Sequence, residues 1–346
     1  MIIASTAPTR VDLEGGTIDI WPLYLFHPGA TTVNFAISPR TYCRIETRDD
    51  NRIILESKDR GERVETTLER IDELAQDTKL ELISKLVHFF RPTVGFTLTA
   101  ESHAPAGAGL AGSSSLFITT IGALNKLCGD RYPESEFINI AANVESTVIR
   151  VPAGFQDYYP AQYGGLSSIS FGIAGRKREA IPVDAATLES RFAILYTGEP
   201  RNSGTNNWDI CKRHIDELKT DTQPLMALFD GIRDAAQNVR SALIAGDWPA
   251  LSATMKAAFP LRRQLAPAIT TPHMDNLISI ALANGAEAAK VCGAGGGGCI
   301  AFLCTEGRRA DVENALNAAF TAQDRQDGAK VLEWSFAKKG LTVSVS

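Results

Sequence analysis

The feature that most constrains this chain is a glycine- and serine-rich segment between a predicted strand at 94–100 and a predicted helix at 112–127. The segment reads Pro105-Ala106-Gly107-Ala108-Gly109-Leu110-Ala111-Gly112-Ser113-Ser114-Ser115. Glycines allow the backbone to approach a ligand closely, and a helix N-terminus offers unpaired N–H groups and the positive end of the helix dipole. By itself the pattern favours phosphate binding only slightly over a serine-capped helix that follows a flexible turn.

The spacing of the segment excludes two familiar phosphate-binding motifs. No Gly-Lys-Ser or Gly-Lys-Thr follows the glycines, so the lysine that reaches the terminal phosphates in a P-loop is missing. The glycine spacing also differs from that of a dinucleotide-binding fingerprint, and the acidic residue expected after a second strand does not fit. A nucleotide would therefore be held by a different arrangement of backbone and serine groups.

Strands and helices are mixed along the chain without strict alternation. β-Prone and alternating patterns predict strands within 33–57 and at 94–100, 166–171, 192–197, 289–291, 299–303 and 330–333. Helical spacing predicts helices at 71–90, 112–127, 134–150 and 309–322, with long helices between 206 and 284. This mixture predicts an α+β fold. The loop-like stretch 172–178 suggests a boundary between an N-terminal domain at 1–175 and a C-terminal domain at 176–346.

Composition narrows the classes of partner. The formal net charge is −5 and no block of basic residues occurs, which argues against a nucleic-acid partner. We also expect no membrane partner and a cytoplasmic location, because no signal peptide and no apolar run near the roughly 20 residues of a bilayer span is visible. The scattered cysteines form no CxxC pair and are expected to be reduced and mostly buried: Cys43, Cys128, Cys211, Cys292, Cys299 and Cys304.

Two further motifs change the interpretation of the serine-rich segment. The first is Ala7-Pro8-Thr9-Arg10-Val11-Asp12-Leu13-Glu14-Gly15-Gly16-Thr17-Ile18-Asp19, and the second is Lys290-Val291-Cys292-Gly293-Ala294-Gly295-Gly296-Gly297-Gly298-Cys299. In this order the three segments resemble the Pro-x-Arg-Val opening, the Pro-x-x-x-Gly-Leu-x-Ser-Ser loop and the late Gly-Ala-Gly-x-Gly-Gly segment of the GHMP kinases. The late glycines could be a loop between strands. Four in a row carry an entropic cost, however, which favours close backbone approach to a ligand.

The resemblance implies a fold, two ligands and a set of roles. It implies a ribosomal S5-like N-terminal domain, a ferredoxin-like C-terminal domain, ATP, Mg²⁺ and a small-molecule acceptor. Asp157 would accept or orient the acceptor proton, and Arg10 would stabilise the transferring phosphoryl group and keep Asp157 charged. Glu145 and Ser114 would bind Mg²⁺, with Ser113 as the alternative because Ala111-Gly112 adds one residue to the family loop. From the residues alone, Glu145 reads as a solvated helix-face charge and Asp157 as a turn aspartate.

Acceptor recognition is expected near the first and third motifs. The residues expected there are Glu14, Gly16, Thr17, Asp19, Arg201, Gly295 and Gly296. The stretches 154–165 and 196–204 resemble the heptose-phosphate kinases, with Tyr158 in place of a glutamine. Arg201 could bind an acceptor phosphate or pair with a surface acid. The resemblance thus favours a sugar or sugar phosphate, best a heptose 7-phosphate. A mevalonate-type kinase or decarboxylase and a non-catalytic sensor remain alternatives, and a homodimer is compatible with the sequence.

Overall fold

A long antiparallel strand pair is the centre of the first of two sheets. The computed structural model describes residues 1–200 and 205–346. The sheet has the order β12-β1-β2-β5-β3-β4, and β6 pairs with β2 and with β7. Its strands are β1 (Ile2–Glu14), β2 (Thr31–Thr47), β3 (Arg52–Ser57), β4 (Glu62–Thr67), β5 (Phe96–Ser102), β6 (Leu166–Gly172), β7 (Gly175–Ala180) and β12 (Thr342–Val345).

A second sheet and twelve helices complete the described part of the chain. The second sheet is antiparallel with the order β11-β8-β10-β9, formed by β8 (Phe192–Tyr196), β9 (Ala286–Val291), β10 (Cys299–Cys304) and β11 (Lys330–Val331). The α-helices are α1 (Leu23–Phe26), α2 (Glu81–Phe90), α3 (Gly112–Leu127), α4 (Phe137–Ile149), α5 (Tyr158–Tyr163), α6 (Ala185–Arg191), α7 (Thr205–Glu217), α8 (Pro224–Ala245), α9 (Trp248–Leu265), α10 (Pro272–Ala283), α11 (Arg309–Ala319) and α12 (Ala322–Gln326). The predicted α+β class is confirmed.

The C-terminal half of β1 is covered on both faces, which explains why charged residues of the first motif are buried. Every residue from Ala7 to Glu14 is buried. On one side α3 and α5 pack against the strand, and on the other side α8 and α9 do so. Apolar residues of β1 and β2 share one core with the second sheet, where the rings of Phe35 and Phe192 lie 5.4 Å apart. The two sheets are therefore joined by a continuous hydrophobic core.

Two local predictions were wrong. The single helix predicted at 71–90 is a 3-10 helix, Leu68–Gln76, followed by α2. Asp77 lies between them, and its carboxylate accepts the backbone N–H groups of Lys79 and Leu80 in the turn before the second helix. The loop predicted at 172–178 is part of a hairpin in which β7 pairs with β6, so the first sheet extends to Ala180 and also takes in β12.

A buried histidine pair lies where the segment after β1 meets the helices of the second half. His27, just after α1, contacts Asp230 of α8 through Nδ1 at 2.9 Å and His214 of α7 through Nε2 at 2.9 Å. Asp230 accepts, so His27 Nδ1 donates to it, and His27 Nε2 then accepts the Nε2–H of His214. His214 Nδ1 has no partner among the residues that the structure describes. Each imidazole is therefore held in its neutral form by one chain of hydrogen bonds.

Two smaller observations bear on the predicted class of protein. No helix in the described ranges is long and apolar enough to cross a membrane. Five of the six cysteines are buried, with Cys128 half-buried, as the sequence predicted.

Candidate active site

One cleft of about 420 Å³ brings most of the predicted site residues together. It lies between the serine-rich segment, the end of β1 with the loop that follows, the start of α5 and the beginning of the late glycine segment. The predicted residues that line it are Arg10, Gly16, Thr17, Asp19, Pro105, Gly107, Ala108, Gly109, Leu110, Ala111, Gly112, Ser113, Ser114, Glu145 and Asp157.

The structure places some predicted residues away from the cleft surface. Glu14 is fully buried and accepts the backbone N–H of Gly15. The hydroxyl of Ser115 faces the first sheet, where it donates to the carbonyl of Ala7. Gly295 packs against Ile269 and Gly296 against Ala268, and their neighbours Gly293 and Ala294 line the cleft instead. Arg201 lies outside the described residues.

The serine-rich segment is fixed by both halves of the chain. Leu110 accepts the backbone N–H of Arg10 at 3.0 Å, and Ala108 accepts that of Cys299 at 2.7 Å. A Cβ at Gly298 would lie 2.8 Å from the carbonyl oxygen of Ala108, so this late glycine is required by close approach of two backbones. The N-cap residue Ala111 provides no side-chain acceptor for the first turn of α3. Those N–H groups are therefore available to an anionic ligand.

Arg10 and Asp157 form the charged centre of the cleft. Arg10 is 1% exposed and donates to Oδ1 of Asp157 through Nε at 2.9 Å and through a terminal nitrogen at 2.7 Å. Its other terminal nitrogen donates to the carbonyl of Gly109 at 2.6 Å. Burial works against the charged guanidinium, but the carboxylates of Asp157 and Asp12 raise the pKa of Arg10 above its ordinary value. Both bonds end on Oδ1, so Oδ2 of Asp157 accepts no hydrogen bond from the described residues.

Glu145 faces the start of α3 and is not the solvated helix-face charge that the residues alone suggested. Its carboxylate accepts from the hydroxyls of Ser113, at 3.3 Å, and Tyr158. The hydroxyl of Ser114 also lies within its reach. Burial raises the pKa of Glu145 to about 7, and the nearby Asp157 adds to the effect. No described cationic side chain pairs with this carboxylate, so carboxylate and hydroxyl oxygens face the cleft as a set that suits Mg²⁺.

A buried charge network borders the loop that follows β1. Asp12 lies 3.1 Å from Lys290, and both side chains are at most 4% exposed. Burial opposes ionisation of Asp12, but Lys290 and Arg10 lower its pKa below the ordinary value. Burial raises the pKa of Glu14 and raises that of Asp19 to about 7. The cations Lys290 and Arg10 therefore favour the charged form of Asp12, whereas burial disfavours the charged forms of Glu14 and Asp19.

Arg262 of α9 connects the two glycine-containing loops beside this network. It donates to the carbonyl of Gly16, to the hydroxyl of Thr17 at 3.3 Å and to the carbonyl of Gly293 at 3.4 Å. The side chain is buried and lines the cleft, while its Nε has no partner among the described residues. Arg262 thus holds the predicted acceptor loop against the second half.

The sequence analysis assigned no role to Asp12, Gln156, Arg262 or Lys290. Asp12 could have been found, because it lies two residues after Arg10 on a strand and so points to the same side. Lys290 opens the late glycine segment, whereas Arg262 sits in a helix with no local signal. The cleft is also lined by Leu82, Leu116 and Ile149, with Asp59 and Arg60 at the turn between β3 and β4.

Two segments of the chain match models of one protein family. Residues 78–165 match the GHMP kinases N terminal domain, and residues 239–322 match the GHMP kinases C terminal family. The chain is 26% identical to the D-glycero-alpha-D-manno-heptose 7-phosphate kinase of Campylobacter jejuni, covering 98% of both chains. It is 25% identical to the mevalonate kinase of Thermococcus sibiricus, covering 92% of this chain and 94% of that protein.

Solved structures with the same fold include a heptose kinase. The D-glycero-D-manno-heptose 1-phosphate kinase of Bacteroides thetaiotaomicron superposes with a TM-score of 0.76 at 21% identity, covering 99% of both chains. At that identity the similarity establishes the fold.

Proposed function

Because the chain belongs to the GHMP kinase superfamily, a family of small-molecule kinases that use ATP, we propose that it phosphorylates a sugar or sugar phosphate in this cleft. The observation that carries the proposal is the position of Asp157. Its free carboxylate oxygen lies in the same cleft as the serine-rich segment, and its other oxygen is held by the buried Arg10, which also donates to Gly109 of that segment. Phosphoryl transfer requires positioning and neutralisation of charge more than covalent chemistry.

The serine-rich segment would bind the phosphates of ATP. The first turn of α3 and the residues Gly107 to Gly112 line the cleft, and the positive end of the helix dipole there favours negative charge. The apolar side chains of Leu82, Leu116 and Ile149 offer a surface for the nucleobase in the same cleft.

Asp157 and Arg10 would serve the transfer itself. The acceptor hydroxyl would donate its proton to Oδ2 of Asp157 while its oxygen bonds to the γ-phosphorus. The bond between that phosphorus and the β–γ bridging oxygen breaks, and ADP leaves. Arg10 holds Oδ1 of Asp157 and the carbonyl of Gly109, so it fixes the carboxylate relative to the phosphate loop and adds positive charge beside the transferring group.

Glu145, Ser113 and Ser114 would hold Mg²⁺. When bound, the ion neutralises charge on the nucleotide phosphates. The protein's own contribution is an oxygen-rich corner in which the Tyr158 hydroxyl orients one carboxylate oxygen of Glu145.

The acceptor region favours a hydroxyl-rich compound. Asp12, Asp19, Gln156 and Arg262 line it with polar atoms, whereas an acceptor of low polarity would leave such groups without partners. The heptose 7-phosphate kinase relative supports a heptose 7-phosphate as the first acceptor to test. The mevalonate kinase relatives support (R)-mevalonate as the second.

An ADP-release assay with Mg-ATP tests the proposal. The acceptors are D-glycero-D-manno-heptose 7-phosphate, D-mannose 6-phosphate, D-galactose, (R)-mevalonate and homoserine, with Asp157→Asn and Asp157→Ala as matched variants. We expect turnover with a sugar or sugar phosphate, and a loss of about 10²–10⁴-fold in kcat in the variants if Asp157 is the base. Turnover with mevalonate alone would refute the sugar assignment. ATP binding without turnover of any acceptor would refute the kinase assignment and favour a sensor.

A further inference from the structure

The side chain of Gln156 is a buried amide that the reaction described above does not use. It lies immediately before Asp157, lines the cleft and is 6% exposed. Its side-chain amide makes no hydrogen bond to any residue between 1 and 200 or between 205 and 346, and its Oε1 is buried without a partner. A buried polar atom without a partner costs about 1–3 kcal/mol. We therefore expect a ligand to form the hydrogen bonds that this buried amide beside Asp157 lacks.

The backbone of Gln156 is fixed although its side chain is not. Its N–H donates to Oδ2 of Asp19 at 2.9 Å, and its carbonyl accepts from Nδ2 of Asn34 at 3.2 Å. Both of these partners are buried. The residue is thus held from two sides at its peptide groups, which positions the amide without using its own donor and acceptor.

The neighbouring glycine keeps the space in front of this amide open. A Cβ at Gly16 would lie 3.1 Å from Nε2 of Gln156 and 2.6 Å from Oδ2 of Asp12. Any side chain at this position would fill the gap between the two polar groups. The carbonyl of Gly16 is in turn held by Arg262, so the opening is maintained by both halves of the chain.

We propose that Gln156 binds a second hydroxyl of the acceptor, close to the hydroxyl that Asp157 holds. This rests on the proposed function. Nε2 borders the gap beside Gly16 and donates to the oxygen of this hydroxyl, and Oε1, which is buried before the ligand binds, accepts the hydroxyl hydrogen after a rotation of the side chain. A carboxylate would leave Oε1 without a donor. The acceptor class that this selects is a polyol with neighbouring hydroxyl groups, and Gln156 discriminates against acceptors that lack the second one.

The experiment pairs a change in the protein with a change in the acceptor. Gln156→Leu and Gln156→Glu are assayed with D-glycero-D-manno-heptose 7-phosphate, D-mannose 6-phosphate and D-galactose, each beside its monodeoxy analogues. Gln162→Leu is the matched control, because Gln162 is a buried glutamine of α5 whose Nε2 donates to the carbonyl of Glu134 and which does not line the cleft. Its unfolding midpoint is measured beside those of the Gln156 variants.

We expect the wild type to lose about tenfold in kcat/KM on removal of one particular hydroxyl, and Gln156→Leu to lose about tenfold with the parent acceptor. When Gln156→Leu is assayed with the analogue that lacks this hydroxyl, the two losses do not add. Gln162→Leu keeps the wild-type preference for the parent acceptor over the analogue. If Gln156→Leu and Gln156→Glu lose the same factor with the parent and with every analogue, the inference is overturned and the proposed function stands. If no sugar or sugar phosphate is phosphorylated, the proposed function fails, and this inference fails with it.

Discussion

Lowering the pH from 7 to 5 is expected to remove about 2 kcal/mol of unfolding free energy through His214 alone. The side chain is 1% exposed, and burial lowers its pKa from 6.5 to about 4, with the neighbouring His27 adding to the shift. Protonation would give Nδ1 a hydrogen for which the described part of the chain offers no acceptor. Burial likewise lowers the pKa of His27, against the opposing effect of Asp230, while Arg233 on the same helix favours the neutral ring.

The direction and size follow from proton linkage. Between pH 6.5 and pH 4 the unfolded chain binds a proton at this position and the folded chain does not, so falling pH favours unfolding. The contribution of neutral His214 to the free energy of unfolding is fully present above pH 6.5 and is lost as the pH falls toward 4. At pH 5 the change corresponds to a factor of about 30 in the unfolding equilibrium, or about 2 kcal/mol. For a chain of this length that is about 3 °C in Tm.

Urea unfolding at pH 7 and pH 5 measures the effect in the wild type and in His214→Gln, which removes the titrating group. We expect the variant to lose about 2 kcal/mol less than the wild type between the two pH values. His88→Gln is the control, since His88 lies at the surface of α2 and its replacement leaves the buried pair intact. Equal losses in the wild type and in His214→Gln would refute the reasoning.

Three further predictions concern the site and its support. Tyr158→Phe removes the hydroxyl that orients Glu145, so the Mg²⁺ concentration for half-maximal ADP release should rise at least about tenfold; an unchanged Mg²⁺ titration would contradict this. Gly295→Ala places a Cβ 2.3 Å from a neighbouring isoleucine at a φ of +77°, so it should destabilise the fold by about 2 kcal/mol or more in urea. Lys290→Met leaves Asp12 buried without its partner and should cost about 3–5 kcal/mol in the same assay. A loss under about 1 kcal/mol in either variant would show that its surroundings relax.

The parts of the site that sequence reasoning found are those that lie in local motifs. Arg10, Asp157 and the serine-rich segment belong to short patterns with a family resemblance, and they do line one cleft. The loop before α3 and the start of that helix were also predicted, because glycines and serines stand between a β-prone stretch and an apolar helix pattern. The predicted helix at 71–90 failed because periodicity cannot show that the carboxylate of Asp77 binds the backbone N–H groups of Lys79 and Leu80 and so holds a break inside an otherwise regular apolar pattern.

The parts that were missed depend on long-range pairing. Asp12 and Lys290 are 278 residues apart in sequence, and neither stands in a pattern that names the other. Arg262 has polar neighbours on α9 and no periodic signal that distinguishes a buried arginine from a solvated one. Only the packing of α9 against β1 and β9 brings it to the carbonyls of Gly16 and Gly293. Such contacts follow from the fold and could not be predicted before it.

These long-range contacts determine where an acceptor could bind. The loop after β1 belongs to the first sheet, yet its Gly16 carbonyl is held by Arg262 and the neighbouring Asp12 is neutralised by Lys290, both from the second half. The phosphate-binding segment is tied across the same boundary, because Ala108 accepts the backbone N–H of Cys299. A buried carboxylate without a cation is unfavourable by several kcal/mol. Arg10 of the first half also stabilises the charged form of Asp12, and Lys290 and Arg262 of the second half add to it, so both halves stabilise the acceptor end of the cleft.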